Sequence, residues 1–404
     1  MNTLCLVVDR LHIGYLGTYG NGWIETPAID RLGAEGCVFD QYLIDSPQLD
    51  SLYRSYWLGR HAMEPAESSD DRSLPRLLAG SGVGTTLLTD AAEVAGHGLA
   101  GDFNEVLQLA PPDARQCADR IDQTHLGRAF ARLIARIGAL AEPFLLWCHL
   151  TGLAGPWDAP RDHRVRYVEP GDPEAPAWIE PPNKLLGEDF DPDDVLGISQ
   201  AYAGQVSLLD ACVGALLEAL DELPSGGQTL LLLVAARGFP LGEHGRVGPC
   251  DEALYAELVH VPLLVRLPTA ETATVRSQAL LHPADLGATI LDWHGIAPLD
   301  RPLVASSLLP LMREENESIR DRVCIVGGDR ERAIRTPAWY LRETATPELF
   351  RKPDDRWEVN EVSDRCTEVV ELLRESLRQY QEAVLSSHLS QIPPIPEILA
   401  SGIE

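Results

Sequence analysis

The chain opens with a short, unbroken run of apolar residues that ends in an acid. Residues 3–9 read TLCLVVD, and such a run of β-forming residues is typical of a strand that is buried on both faces of a parallel sheet. Sheets of this kind belong to α/β proteins, which place their ligand sites beyond the carboxyl ends of the strands. The run therefore predicts a central strand and makes Asp9 a candidate site residue.

Further helix and strand patterns follow in alternation. Thr26 and Pro27 have the residue types of a helix N-cap and a first helical position. Two more helical patterns lead into apolar runs, LPRLLAGSG into GTTLLTD and LGRAFARLIARIGALA into PFLLWCHL. Apolar residues recur at helical spacing from Val206 to Leu220, and TLLLLVAA follows. These repeated units predict an α/β fold with a mostly parallel sheet.

The pattern changes toward the carboxyl end, and this change sets the predicted domains. At 404 residues with 45% hydrophobic content, the chain is long enough for one large domain, which we place at residues 1–320, and a smaller one. Residues 321–390 show short strand patterns followed by an amphipathic helical pattern, which predicts a small α+β domain. Residues 391–404 are rich in proline and predict an extended tail.

The charge balance limits the partners that the chain can have. It carries 61 acidic residues against 33 Lys and Arg, a net charge of -28, which repels the phosphates of nucleic acids and anionic membranes. We read no secretory signal at the start and no apolar run of about 18 residues. The expected compartment is the cytoplasm, with neither nucleic acid nor membrane as a partner.

Several of these segments resemble one family, in order and along nearly the whole chain. The resemblance rests on VVDRLHIGYLGTYG near the start, PFLLWCHLTGLAGPW in the middle, TLLLLVAARGFPLGEHG after it, and ELFRKPDDRWEVNEV near the end. Together they resemble the sulfatases of the alkaline phosphatase superfamily. The resemblance implies a large, mostly parallel sheet sandwiched by helices, with a small C-terminal α+β domain.

The resemblance also implies a metal site, whose positions this chain fills differently. Sulfatases hold a calcium ion with carboxylate and amide oxygens from two strand ends, as suits a hard cation. Asp9 matches the first aspartate ligand, but Arg10 stands at the second, Ala236 at the third and Arg237 at the fourth. One ligand of four is kept.

The nucleophile motif of the family is altered as well. Sulfatases oxidise a Cys or Ser in a C/S-x-P-x-R motif to formylglycine, and that position falls on Leu49, with Tyr53 at the arginine. A slip of one residue would place Asp50 and Arg54 there, with Ser51 adjacent. The family lysine and histidine after the next strand fall on Asp90 and Ala92, and two further cationic positions fall on Ala154 and Pro249.

The leading interpretation is a catalytically inactive sulfatase-like protein that serves as a binding, regulatory or assembly component. Under it we expect no cofactor, and the partner is an unknown protein, a second copy in a homo-oligomer, or a sulfated or phosphorylated ligand. Arg10 and Arg237 then form an ion network with Asp9 and with Asp50 or Asp90, or they form an anion pocket.

The alternative is a divergent hydrolase or transferase of sulfate or phosphate esters. It would use Asp50 or Ser51 as nucleophile, with Arg54, Arg10 and Arg237 stabilising the oxyanion. Calcium or magnesium is expected only under this alternative. The simplest structural interpretation of Asp50 is a helix N-cap. His12, His149 and His244 are interpreted as structural histidines, while Trp157 and Tyr53 are interpreted as filling space that catalytic groups occupy in the family.

Overall fold

The first strand forms where the apolar run predicts it, and all seven of its residues are buried. The computed structural model describes residues 1–65, 72–223, 226–268, 273–297, 304–328, 331–386 and 392–402. The strands are β1 Asn2–Val8, β2 Cys37–Tyr42, β3 Gly84–Thr89, β4 Glu105–Gln108, β5 Phe144–Leu150, β6 Lys184–Leu185, β7 Thr229–Ala235, β8 Arg246–Val247, β9 Leu263–Arg266, β10 Val275–Leu281, β11 Val323–Val326, β12 Arg332–Arg335, β13 Trp339–Glu343 and β14 Glu348–Arg351.

The α-helices alternate with these strands over the first two thirds of the chain. They are α1 Pro27–Glu35, α2 Leu49–Leu58, α3 Leu74–Gly80, α4 Ala92–Ala95, α5 His125–Ile137, α6 Arg161–Arg164, α7 Pro192–Glu222, α8 Ala256–Val259, α9 Ala284–Trp293, α10 Leu309–Met312, α11 Thr367–Ser386 and α12 Glu397–Ser401.

The chain divides into two units, each assembled from separate stretches. The first consists of residues 1–38, 78–250 and 261–276, and the second of residues 39–77, 251–260 and 277–404. The boundary predicted near residue 320 lies within the second unit.

In the first unit, six strands form a mostly parallel sheet in the order β9-β7-β1-β5-β3-β4. β1 pairs in parallel with β5 and β7, β3 pairs in parallel with β5 and β4, and β9 runs antiparallel to β7. Val8 lies opposite both Leu150 and Ala235, so these three strands end side by side. The predicted α/β fold is confirmed, and the residues that follow these strand ends meet at one edge.

The central helix α7 is longer than the apolar pattern predicts. Asp191 caps its first turn by accepting from the Asp193 amide, and Pro192 occupies the first helical position. By length and composition alone α7 could cross a bilayer, but 72% of its most apolar 18-residue window is buried inside the protein, as in a core helix. Helices α1 and α5 pack against it.

The second unit has its own core beneath an antiparallel sheet of order β11-β12-β13-β14. Side chains of α9, α11 and the sheet form one hydrophobic cluster, with Leu373 of α11 and Leu341 of β13 fully buried in it. The proline-rich tail, predicted as extended, contains the short helix α12, whose residue Leu399 joins the same cluster.

An acid is buried in this second unit, and its protonation couples to folding. The Asp45 carboxylate accepts hydrogen bonds from Ser55 Oγ at 2.5 Å and from the Ala62 amide at 2.9 Å. Burial nevertheless raises the pKa of Asp45 to about 7. Because this folded-state pKa lies above the ordinary value, Asp45 favours folding at low pH, and that contribution is lost as pH rises through about 7.

We therefore expect Asp45→Asn to remove part of the pH dependence of stability. From pH 6 to pH 8 the parent protein should lose about 1 kcal/mol of unfolding free energy that the variant does not lose. Urea denaturation of both proteins at the two pH values measures this difference. Parallel pH profiles would contradict the assignment.

Candidate functional site

Polar side chains gather where the central strands of the first unit end. Asp9 follows β1, Asp90 follows β3, Thr151 follows β5, and Arg237 comes two residues after β7. Since these strands are parallel neighbours, their carboxyl ends form one edge, which is where α/β proteins build sites. The positions that the sequence singles out on this edge are thus neighbours in the fold.

Asp9 and Arg237 form a buried ion pair with two hydrogen bonds. Arg237 Nε donates to Asp9 Oδ1 at 3.1 Å and Nη2 donates to Oδ2 at 2.5 Å. The Asp9 side chain is 4% exposed and that of Arg237 is 11% exposed. This two-point geometry suits the planar guanidinium and occupies both carboxylate oxygens.

The pKa of Asp9 shows that this pair outweighs desolvation. Burial alone raises the pKa, but the charge and hydrogen bonds of Arg237, together with the charge of Arg10, lower it to about 2. Because the folded-state pKa is lowered, the stabilisation is present above about pH 4 and is lost as pH falls towards 2.

Arg10 points elsewhere, although it is adjacent to Asp9 in the chain. Its amide donates to Asp9 Oδ1 at 3.0 Å, while its guanidinium donates to the carbonyl oxygens of Cys250 at 2.7 Å and Gly238 at 3.4 Å. Its backbone is left-handed with φ of 63°, which costs a non-glycine residue roughly 1–2 kcal/mol. Arg10 therefore anchors the loop after β7 to the end of β1.

Asp90 has partners of its own and does not pair with the two arginines. It accepts from His125 Nε2 at 2.6 Å and from the amide and hydroxyl of Thr151 at 2.7 and 2.8 Å. Burial raises its pKa, but these hydrogen bonds prevail and lower it. The expected network of both arginines with several acids is thus an Asp9–Arg237 pair and a separate Asp90–His125 pair.

His149 on β5 is fully buried near both acids. Burial lowers the pKa of His149, while the negative charges of Asp9 and Asp90 act in the opposite direction. The neutral imidazole is favoured, in agreement with its interpretation as a structural histidine.

Aromatic rings from the loops after β5 and β7 pack against Tyr202 of α7. Trp157 is fully buried, donates its indole N–H to the Leu153 carbonyl at 2.9 Å, and contacts the rings of Tyr202 and Phe239. Tyr202 and Phe239 stack with 5.2 Å between centroids, and the Tyr202 hydroxyl donates to the Arg10 carbonyl at 2.7 Å. This edge of the sheet is therefore closely packed.

Two residues at this edge, Tyr202 and Glu243, were not predicted from the sequence to take part in the site. Tyr202 lies in the middle of α7, where its spacing indicates only a core position. Glu243 lies in GEHG, and its Oε1 is 3.1 Å from His12 Nε2. The acid in GEHG is the sequence signal for a His12 partner, whereas the family resemblance singles out His244 of the same segment.

The candidate nucleophile residues lie on α2, in the second unit. Asp50 is exposed and lies in the first turn, whereas the N-cap is Gln48, so its interpretation as an N-cap is wrong. Arg54 Nη2 donates to the carbonyl oxygens of Glu64 and Pro65, both at 2.9 Å. Ser51 is half-buried, and its carbonyl accepts from Ser55 at 3.3 Å. Tyr53, at the arginine position of the family motif, is fully buried against Tyr56 and Trp57.

The residues at the Asp9 edge do not suit a divalent cation. Calcium takes six to eight oxygen ligands, but Asp9 is the one carboxylate kept at the aligned positions and both of its oxygens bind Arg237. Across the described parts of the chain, no group of three or more His, Cys, Asp or Glu side chains is placed to hold a metal ion.

Comparison with known proteins gives the family. The sulfatase family profile matches residues 1–296, which is most of the chain. The chain therefore belongs to the sulfatase family. It is 24% identical to mouse steryl-sulfatase over an alignment of 409 positions, gaps included, which covers 77% of this chain and 65% of that protein.

A second relative matches over a shorter stretch. N-acetylglucosamine-6-O-sulfatase of Bacteroides thetaiotaomicron is 31% identical over 121 residues, 30% of this chain and 21% of that protein. The chain spans less than two thirds of the length of these two curated relatives.

Solved structures agree on the fold. BT4656 in complex with its substrate D-glucosamine-2-N,6-O-disulfate superposes with a TM-score of 0.78 at 16% identity, covering 97% of this chain and 99% of that one. Phosphonate monoester hydrolase of Agrobacterium radiobacter gives a TM-score of 0.74 at 16% identity, covering 96% of each chain. The predicted alkaline-phosphatase-like fold is confirmed.

We expect the Asp9–Arg237 pair to be strongly coupled. Asp9→Ala or Arg237→Ala should each lower the unfolding free energy by about 3–5 kcal/mol, because each leaves a buried charge without its partner, and the double variant should lose less than the sum. Asp122→Ala is the control, since the Arg120–Asp122 pair is 72% and 63% exposed and should be worth at most about 1 kcal/mol. Additive losses in the double variant would contradict the coupling.

Proposed function

We propose that this chain is a sulfatase-family protein that does not hydrolyse sulfate or phosphate esters and acts as a binding, regulatory or assembly component. The observation that carries the proposal is the two-point ion pair of Arg237 with Asp9. A guanidinium binds the single carboxylate kept at the family metal position, so the counter-charge of that carboxylate is supplied from within the chain.

Electrostatics make this arrangement hard to convert into a metal site. A cation at Asp9 would have to displace Arg237, whose side chain would then keep its charge in a largely buried position. The charge of Arg10 also acts on Asp9 and would repel the same cation. We therefore expect the protein to bind no metal ion, because Arg10 and Arg237 repel a cation and Asp9 is the one ligand kept among the four aligned positions.

An ester substrate meets related obstacles. Ester hydrolysis needs fixed positive charge directed at the developing oxyanion, but Arg237 is neutralised by Asp9 and the guanidinium of Arg10 binds carbonyl oxygens. Asp90 adds negative charge where the family places a lysine. A sulfated or phosphorylated ligand would therefore bind only by separating Arg237 from Asp9.

The alternative, a divergent hydrolase, receives no support from Arg54. Its guanidinium donates to two backbone carbonyls, so it would have to leave them to stabilise an oxyanion near Asp50 or Ser51. The relatives named as sulfatases make sulfate esters the first substrate class to test.

The proposed compartment is the cytoplasm. The net charge of -28 repels nucleic acid and anionic membranes, so neither is a proposed partner.

Activity assays test the proposal directly. We expect no turnover of 4-nitrophenyl sulfate, bis-4-nitrophenyl phosphate or phenylphosphonate esters above buffer, with or without calcium or magnesium. Turnover that survives purification and disappears in Asp9→Ala or Asp50→Ala would overturn the proposal.

Thermal unfolding in the presence of calcium tests whether the protein binds this metal. Calcium should leave the melting temperature of the parent protein unchanged, because a ligand raises it only by binding the folded state. The matched control is Arg10→Asp with Ala236→Asp and Arg237→Asn, which returns oxygen ligands to three aligned positions and should gain a calcium-dependent rise. A rise in the parent protein that Asp9→Ala abolishes would contradict the proposal.

A further inference from the structure

The second unit contains a cavity of about 550 Å³, which falls within the range of roughly 300–1,000 Å³ that small-molecule sites occupy. Helix α11, the segment before β11, the turn between β12 and β13, and the segment after residue 391 surround it. Among the described residues, its apolar walls are formed by Ile319, Pro337, Ile392, Pro393 and Pro394. Walls of this kind suit an apolar molecule.

Tyr380 of α11 places a hydroxyl at this cavity. The residue is 4% exposed and lines the cavity. Among the described residues the hydroxyl has no hydrogen-bond partner, yet it is not sealed off from solvent. Its accessible surface is therefore turned toward the cavity. A buried tyrosine hydroxyl usually has a partner, so this donor is available to a ligand.

The two arginines that line the cavity are neutralised by acids of the same unit. Arg320 donates from Nη1 and Nη2 to the two carboxylate oxygens of Asp285, at 2.6 and 2.5 Å. Arg322 donates from Nε and Nη2 to those of Asp321, at 2.8 and 3.0 Å. Each guanidinium is thus balanced by a carboxylate, and the net charge of -28 repels an approaching anion. An uncharged ligand is therefore favoured.

The wall that carries Pro393 is held in place before any ligand arrives. Asp321 Oδ2 accepts from the Ile395 amide at 2.9 Å, and Arg322 Nη2 donates to the Pro393 carbonyl at 2.5 Å. Arg322 Nη1 also donates to Ser376 Oγ at 2.6 Å, which ties the same wall to α11. Because the site is already formed, a ligand that enters it orders little of the chain.

We infer that this cavity binds a small, uncharged molecule with an apolar body and a carbonyl oxygen, which accepts a hydrogen bond from the Tyr380 hydroxyl. Burial raises the pKa of Tyr380 well above its ordinary value, so the phenol keeps its proton and donates at neutral pH. A carbonyl accepts without bringing a donor of its own. This suits the site, because the Asp321 oxygens already accept from Arg322 and from the Ile395 amide.

The inferred ligand differs from a sulfate or phosphate ester, and the inference does not depend on the absence of ester hydrolysis. None of the lining residues named above stands at an aligned metal or nucleophile position of the sulfatases. Titrations with an uncharged ligand and hydrolysis assays therefore fail independently of each other.

Ligand-observed NMR titration with a matched pair of probes tests the inference. Acetophenone and ethylbenzene have the same ring and chain length, but only acetophenone has a carbonyl oxygen. The parent protein should bind acetophenone about two- to tenfold more tightly, the usual contribution of one hydrogen bond. Benzoate, which keeps the ring and adds a negative charge, should bind more weakly than acetophenone. Equal affinity for the first two probes, tighter binding of benzoate, or no binding of acetophenone at millimolar concentration would overturn the inference.

Three variants assign the binding to this cavity. Tyr380→Phe removes the hydroxyl alone, so it should bind acetophenone and ethylbenzene equally and be as stable as the parent. The control Tyr340→Phe removes another buried hydroxyl, which donates to the Leu254 carbonyl, and should keep the preference for acetophenone. Ile319→Trp fills the cavity and should abolish the binding of both probes.

Three results with these variants would contradict the inference. They are a preference for acetophenone that survives Tyr380→Phe, a preference that is lost in Tyr340→Phe, and binding that survives Ile319→Trp. Circular dichroism melts confirm that the variants are folded.

Discussion

The ion pair between Asp9 and Arg237 determines what the carboxyl edge of the central sheet can do. It exists because β1 and β7 are parallel neighbours in register, so that residues just beyond their ends meet. Burial raises the pKa of Asp9, but the charge and hydrogen bonds of Arg237, together with the charge of Arg10, lower it to about 2. The pair is neutral without any bound ion, and both of its side chains are largely buried.

Much of this arrangement could be predicted from the sequence. Apolar runs ending at Asp9 and near Arg237 mark central strands, and strand ends in parallel sheets lie on one edge. The order of strands could not be predicted, because it depends on contacts between segments more than a hundred residues apart. The partner of each arginine was therefore undetermined, and the guanidinium of Arg10 binds the backbone carbonyls of Gly238 and Cys250, which no sequence pattern indicated.

Other features were out of reach for physical reasons. Arg10 has a left-handed backbone that no local residue pattern reveals, since glycine or asparagine is the usual signal. Tyr202 contacts Arg10 across 192 positions of sequence. Asp50 was expected to cap α2, but the helix begins at Leu49, two residues earlier than that role requires.

The fold and the site thus carry different information about this protein. Long apolar strands and the buried helix α7 keep the sulfatase framework, while Arg237 pairs with Asp9, the one acid kept at the aligned metal positions of the family. The calcium and magnesium content of the purified protein tests this account most directly. The account predicts that neither metal remains above trace amounts after dialysis, whereas one equivalent of metal, lost on Asp9→Ala, would contradict it.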